Sequence, residues 1–161
     1  MMSLKIYIET TIPSFYFEAR RNVECVSRRN WTRRWWDEQR QEHQLVTSLV
    51  VRNELSDPTY PETKRRNALA LIDELPVLDL NAYIDEIVEA YVANLLMPQQ
   101  PTADAVHLAL ASHYGCDVLL TWNCVHLANP NKFRHIQGIN KRLGLPVPMV
   151  VTPLELLGET P

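Results

Sequence analysis

The chain has 161 residues, 46% hydrophobic and 22% charged, with a formal net charge of −3. A chain of that length can hold one domain whose core removes roughly 70% of the unfolded surface from water. No apolar run approaches the ~20 residues of a membrane span, and the acidic balance confines any nucleic-acid binding to a local patch.

Cys25, Cys116 and Cys124 are an odd set. The opening MMSLKIYIE carries an acid early and does not read as a secretory signal. Reduced thiols in a cytoplasmic protein are therefore expected.

In chain order, LKIYI (4–8) is short, apolar and β-branched, which predicts a buried strand ending at Glu9. Pro13 suits the first turn of a helix over 12–21. Residues 27–43 read as a second helix, with Ser27 as its cap and Trp31 and Trp35 four apart on one face. LVTS (45–48) is the second strand and runs into a short helix carrying Glu54, broken at Asp57-Pro58. An amphipathic helix follows over 62–74, with Ala68, Leu69, Leu71, Ile72 and Leu75 on its apolar side. Pro76 stops it, and VLDL (77–80) is the third strand. Residues 82–96 form another helix, ended by Pro98, and a loop over 97–101 leads to Thr102 as the next N-cap. After Gly115, a helix terminator, DVLLT (117–121) is the fourth strand. A helix over 130–143 stops near Gly144, MVV (149–151) is the fifth strand, and PLELL closes the pattern.

Strands alternating with helices predict a three-layer α/β/α fold with a mostly parallel central sheet of about five strands, as one domain over 1–161. There is no internal repeat and no linker. Ligands of such sheets bind beyond the carboxyl ends of the strands. Glu9 falls just past the first strand, Asn123 just past the fourth, and Asp104 in the first turn of the helix before it. Asp104 has two readings, as a site acid or as a carboxylate favoured there by the helix macrodipole. Glu54 taken alone suits a solvated helix position, and Asn123 suits a turn bonded to its own backbone. A cluster of carboxylates without opposing charge needs a cation, which points to a hard divalent metal and phosphate chemistry.

YIETTIPSFYFE resembles the opening of a PIN domain, whose first strand usually ends in Asp followed by Thr or Ser. ADAVHLALA is similar to the family's third-acid helix, and LLTWNCVHLAN to its fourth-strand signature as found among VapC-type toxins. The ordered set covers nearly the whole chain. The resemblance implies a metal-dependent endoribonuclease that hydrolyses RNA to 5′-phosphate and 3′-hydroxyl ends. It implies a small antitoxin partner and a homodimer. The acids fall on Glu9, Glu54 and Asp104, the implied ligands of Mg²⁺ or Mn²⁺, with Asn123 at the fourth position and Thr121 as a supporting hydroxyl. Glu9 stands where Asp is usual, and Asn123 where an acid is usual. The Asn123 departure favours an alternative, a PIN-like module without catalysis that binds RNA or a protein.

Residues 20–40 hold seven arginines interleaved with Trp31, Trp35 and Trp36. Arg28, Arg29, Arg33 and Arg34 can contact phosphates while indoles stack on bases. The same pattern also describes a helix that buries tryptophan and keeps arginine wet, and it can supply a partner interface. His107 lies one turn after Asp104 and suits either the acid cluster or helix packing. His126 suits substrate positioning or a local hydrogen bond. C-x₇-C-x-H matches no closed zinc motif, so Cys116 and Cys124 read as small packed hydrophobes. There is no P-loop, dinucleotide turn or serine-hydrolase elbow.

Overall fold

Five strands form: β1 (Lys5–Ile8), β2 (Gln44–Ser48), β3 (Val77–Leu78), β4 (Val118–Leu120) and β5 (Met149–Val151). They come from a computed structural model that describes residues 2–100 and 102–158. Pro101, the last residue of the expected 97–101 loop, lies outside the described residues, as do Met1 and 159–161 at the ends of the expected domain. All the strand pairings are parallel, in the order β3-β2-β1-β4-β5. The expected sheet is therefore present, and it is parallel throughout. Helices cover both faces, which completes the three-layer α/β/α architecture.

β1 is central because it can be buried on both sides. Ile6, Tyr7 and Ile8 have no exposed surface, the run of apolar residues that a covered parallel strand requires. β2 and β4 flank it, with Ile6 opposite both Leu45 and Val118. The chain thus builds outward from β1 in both directions, and the crevice between the carboxyl ends of β1 and β4 is the topological switch point.

The helices are α1 (Thr11–Tyr16), α2 (Val23–Gln39), α3 (Leu49–Leu55), α4 (Glu62–Ile72), α5 (Ala82–Ala93), α6 (Ala103–His113), α7 (Phe133–Arg142) and α8 (Pro153–Leu157). α1 packs on α2 and α4, α2 on α8, and α5 on α6. Trp35, Tyr91, Leu108 and Leu110 are among the largest side chains sealed in one core. Full burial of a Leu or Ile stabilises by about 1.5–3 kcal/mol. Among the described residues no helix is long and apolar enough to cross a membrane.

Several expected boundaries move. α2 begins four residues before Ser27, because Asn22 is the cap: its side chain accepts from Cys25 N at 2.9 Å. Ser27 lies inside the helix. α1 ends at Tyr16, well short of residue 21. α5 stops at Ala93, where Leu95 turns the chain at φ 59° so that Leu96 and Met97 enter the core. Thr102 precedes α6 with helical angles and no side-chain cap. The helix expected over 130–143 opens as a 3-10 turn, Pro130–Lys132, capped by Asn129.

Candidate active site

Glu9 follows β1 directly and is 3% exposed. Its backbone N–H still joins the sheet, donating to Leu120 O at 3.2 Å. Its side chain is held at one oxygen. Oε1 accepts from Thr11 N at 3.0 Å, from Thr11 Oγ1, and from Thr121 Oγ1 at 2.7 Å. Thr121 follows β4 and has no exposed surface, so the carboxylate bridges the ends of the two central strands. Burial pushes the Glu9 carboxyl above its ordinary range, against the pull of His107 and the two threonines.

Glu54 lies in the last turn of α3, where the helix macrodipole disfavours a negative charge. Two groups offset that cost. Thr10 Oγ1 donates to Glu54 Oε1 at 2.6 Å, and His107 Nε2 meets the same oxygen at 2.7 Å. Burial works to raise the Glu54 carboxyl, but the hydrogen bonds and the field of His107 outweigh it and hold it low.

Asp104 is half-buried in the first turn of α6, three residues before His107 on the same face. His107 is fully buried. Its Nδ1 lies 2.7 Å from Tyr7 Oη, and Tyr7 Oη lies 2.7 Å from Ser48 Oγ. Ser48 in turn caps α3 by accepting from Val51 N at 3.3 Å. Burial opposes a charged His107, yet its bond to Glu54 and the fields of Glu9, Glu54 and Asp104 raise its pKa. Glu54 thus meets a buried histidine on the helix that also carries Asp104.

Asn123 turns inward to its own loop. Its Oδ1 accepts from His126 N at 3.0 Å, and its N donates to Thr121 Oγ1 at 2.9 Å. Thr121 therefore bonds Glu9 and the Asn123 backbone together. Sequence reasoning missed Thr10, Thr11, Tyr7 and Ser48. The hydroxyls directly after Glu9 were a readable signal; the Tyr7–Ser48 contact was not.

The arginine segment is divided. Arg28 lies over the rings of Trp122 (5.2 Å) and Phe15 (5.7 Å) and pairs with Glu24 at 3.0 Å. Arg33 Nε donates to Tyr16 O at 2.7 Å, with its guanidinium over the Tyr16 ring. Arg34 is exposed beside Glu38, and Arg29 Nε donates to its neighbour Asn30 Oδ1 at 3.4 Å. Trp35 and Trp36 are buried, and Trp31 stacks on Trp122. Cys25 and Cys116 are buried, but Cys124 is exposed, contrary to the packed role expected of it.

The hydrogen bonds to Glu9 and Glu54 among the described residues all fall on Oε1. The second oxygen of each carboxylate takes part in none of these bonds, and hard oxygen donors suit Mg²⁺ or Mn²⁺. The donors therefore fit such an ion in kind. Among the described residues, no three His, Cys, Asp or Glu side chains are already drawn together around one point.

No family model matches the chain, and no curated protein matches it. Among solved structures it is similar to a chain in the crystal structure of VapBC2 from Rickettsia felis bound to a DNA fragment from their promoter. The two share 11% identity and a TM-score of 0.53, over 92% of this chain and 98% of that one. At that identity the likeness is one of fold, the parallel sheet with helices on both faces described above.

Proposed function

We propose that this protein is a metal-dependent endoribonuclease of PIN type, the toxin of a toxin–antitoxin pair. The observation that carries the reading is the linkage of the acid-bearing elements at the carboxyl end of β1: Thr10, next to Glu9, donates to Glu54, and Glu54 meets His107, one turn after Asp104 on α6. That is where an open parallel sheet binds its ligands. Glu9 and Asp104 would hold Mg²⁺ or Mn²⁺, with Glu54 as third ligand or as the group that orients a water. The ion, when bound, lowers the pKa of a water nucleophile and neutralises charge on the phosphate oxygens. Thr11 and Thr121 fix the rotamer of Glu9, and Thr10 that of Glu54. Asn123 shapes the substrate side through the turn it closes. RNA contacts from α2 fall to Arg29 and Arg34, the two arginines of the four not stacked on a protein ring.

The similar structure is a VapBC2 complex, which supports an antitoxin as partner here. A homodimer follows from the PIN reading and is part of the same proposal.

A second reading, a PIN-like module without catalysis, is favoured by one observation: the acids are not assembled into a ready ligand set. Purified protein, free of partner, should be incubated with structured RNAs in Mn²⁺, Mg²⁺ or EDTA beside Asp104→Ala. Metal-dependent cleavage lost in the variant supports the nuclease. Absence of cleavage by folded protein in every metal transfers the weight to the module.

A further inference from the structure

We propose that His107 is a positioning residue of this site: it fixes one oxygen of Glu54 while Tyr7 and Ser48 fix the imidazole, leaving the other Glu54 oxygen to serve as a ligand. The inference rests on the nuclease reading above.

The geometry carries it. His107 is sealed in the core, whereas the Glu54 side chain is 37% exposed at the site mouth. A buried ring therefore holds, together with Thr10, a partly exposed carboxylate. The contacts form an unbroken series. His107 Nε2 meets Glu54 Oε1, Nδ1 meets Tyr7 Oη, Tyr7 Oη meets Ser48 Oγ, and Ser48 Oγ accepts from Val51 N. With Nε2–H donated to the Glu54 carboxylate, every buried polar group in the series has a partner. The series also ties the three elements that carry the acids, because Tyr7 stands two residues before Glu9, Ser48 opens the helix of Glu54, and His107 shares a face with Asp104.

Partners that orient a metal-binding carboxylate are worth about 10–100-fold in metal affinity or activity. The test measures Mn²⁺ binding by electron paramagnetic resonance, with no RNA present, alongside kcat, KM and Tm. His107→Leu should weaken Mn²⁺ binding by about 10–100-fold and lower kcat with little change in KM. His107→Gln should recover most of the loss, because its amide reaches the position of Nε2 and still donates to Glu54. In a Glu54→Gln background, His107→Leu should cost no further Mn²⁺ affinity.

A folded His107→Leu protein that binds Mn²⁺ like the parent overturns the proposal. So does an equal loss of affinity in both backgrounds, which is the mark of a merely structural residue. If His107→Leu does not fold, Tyr7→Phe decides, since it frees Nδ1 and keeps the ring. Weaker Mn²⁺ binding supports the proposal, and unchanged binding overturns it. Parent protein that neither binds Mn²⁺ nor cleaves RNA removes the nuclease reading and this inference together. A competent parent with insensitive His107 and Tyr7 variants removes this inference alone.

Discussion

His107 Nε2 and Glu54 Oε1 stand 2.7 Å apart, joining the middle of α6 to the last turn of α3. The pair makes stability depend on pH with a definite sign. Burial opposes the charge on His107, but Glu54 and the other acids raise its pKa above the ordinary value. The folded chain therefore holds a proton that the unfolded chain releases above about pH 6.5. The stabilisation is complete below that pH and is lost as pH rises through the folded value. Glu9, also raised, adds in the same direction. Metal-free thermal melts in EDTA should show Tm falling from about pH 6.5 upward, with a flatter profile for His107→Gln. Identical slopes for the two proteins would place the proton elsewhere.

Thr121 tests the seam between β1 and β4. Its hydroxyl donates to Glu9 in buried surroundings and accepts from Asn123 N in a partly buried position. Thr121→Val keeps the shape and removes both bonds, leaving a buried carboxylate short of a donor. The expected loss is about 1–3 kcal/mol, read by denaturant unfolding, with RNA cleavage reduced as Glu9 loses its fixed rotamer. A variant as stable as the parent would mean that Thr11 alone suffices.

The fold was legible where hydrophobic period and punctuation agreed. Each of the five strands is a short apolar run bounded by Gly, Pro or a polar residue, and each formed. Helix ends were less legible. Asn22 and Ser27 are both good caps, and RNVECVSRR is too polar for periodicity to choose between them. In the site, the position of Glu9 was readable because it ends a strand, whereas Thr121 entered only through the family resemblance. The Tyr7–Ser48–His107 series was not readable, because its contacts join residues 41 and 100 positions apart. A tyrosine inside a buried strand signals only that its hydroxyl must find some partner.

The arginines of α2 separate into packed and free. Arg28 covers Trp122 and Phe15 with its side chain about one-quarter exposed, while Arg34 has only an exposed pair with Glu38. Arg28→Ala should cost about 1 kcal/mol and Arg34→Ala less than about 0.5 kcal/mol. Reversing Arg29 and Arg34 to Glu should leave Tm almost unchanged and reduce the salt dependence of RNA binding. Salt dependence equal to the parent would remove α2 from the RNA path.

Glu18 is a second buried carboxylate, away from the site. Its oxygens accept from Arg20 Nε and Nη2 at 2.9 Å, with Lys64 at 3.7 Å. Those Arg20 bonds outweigh burial and hold its carboxyl down to about 2. A depressed carboxylate stabilises above its unfolded value, near 4.3, and the gain is lost as pH falls toward 2. Glu18→Gln should cost about 2 kcal/mol at neutral pH, and the difference from the parent should close on acidification. A pH-independent difference would assign the loss to packing.

Leu95 carries backbone strain at an exposed turn. Among the described residues it is the non-glycine residue with positive φ, at 59°, and it is 88% exposed. A left-handed backbone costs an L-residue about 1–2 kcal/mol, through the clash of Cβ with the following carbonyl. Glycine has no such clash but loses about 0.5–1 kcal/mol of unfolded-state freedom on folding. Since the exposed leucine buries almost no surface to lose, relief of strain should win. Leu95→Gly is expected to stabilise by about 0.5–1 kcal/mol, measured as a higher urea midpoint at unchanged slope. A lower midpoint would mean that the freedom glycine gains in the unfolded chain outweighs the strain it relieves.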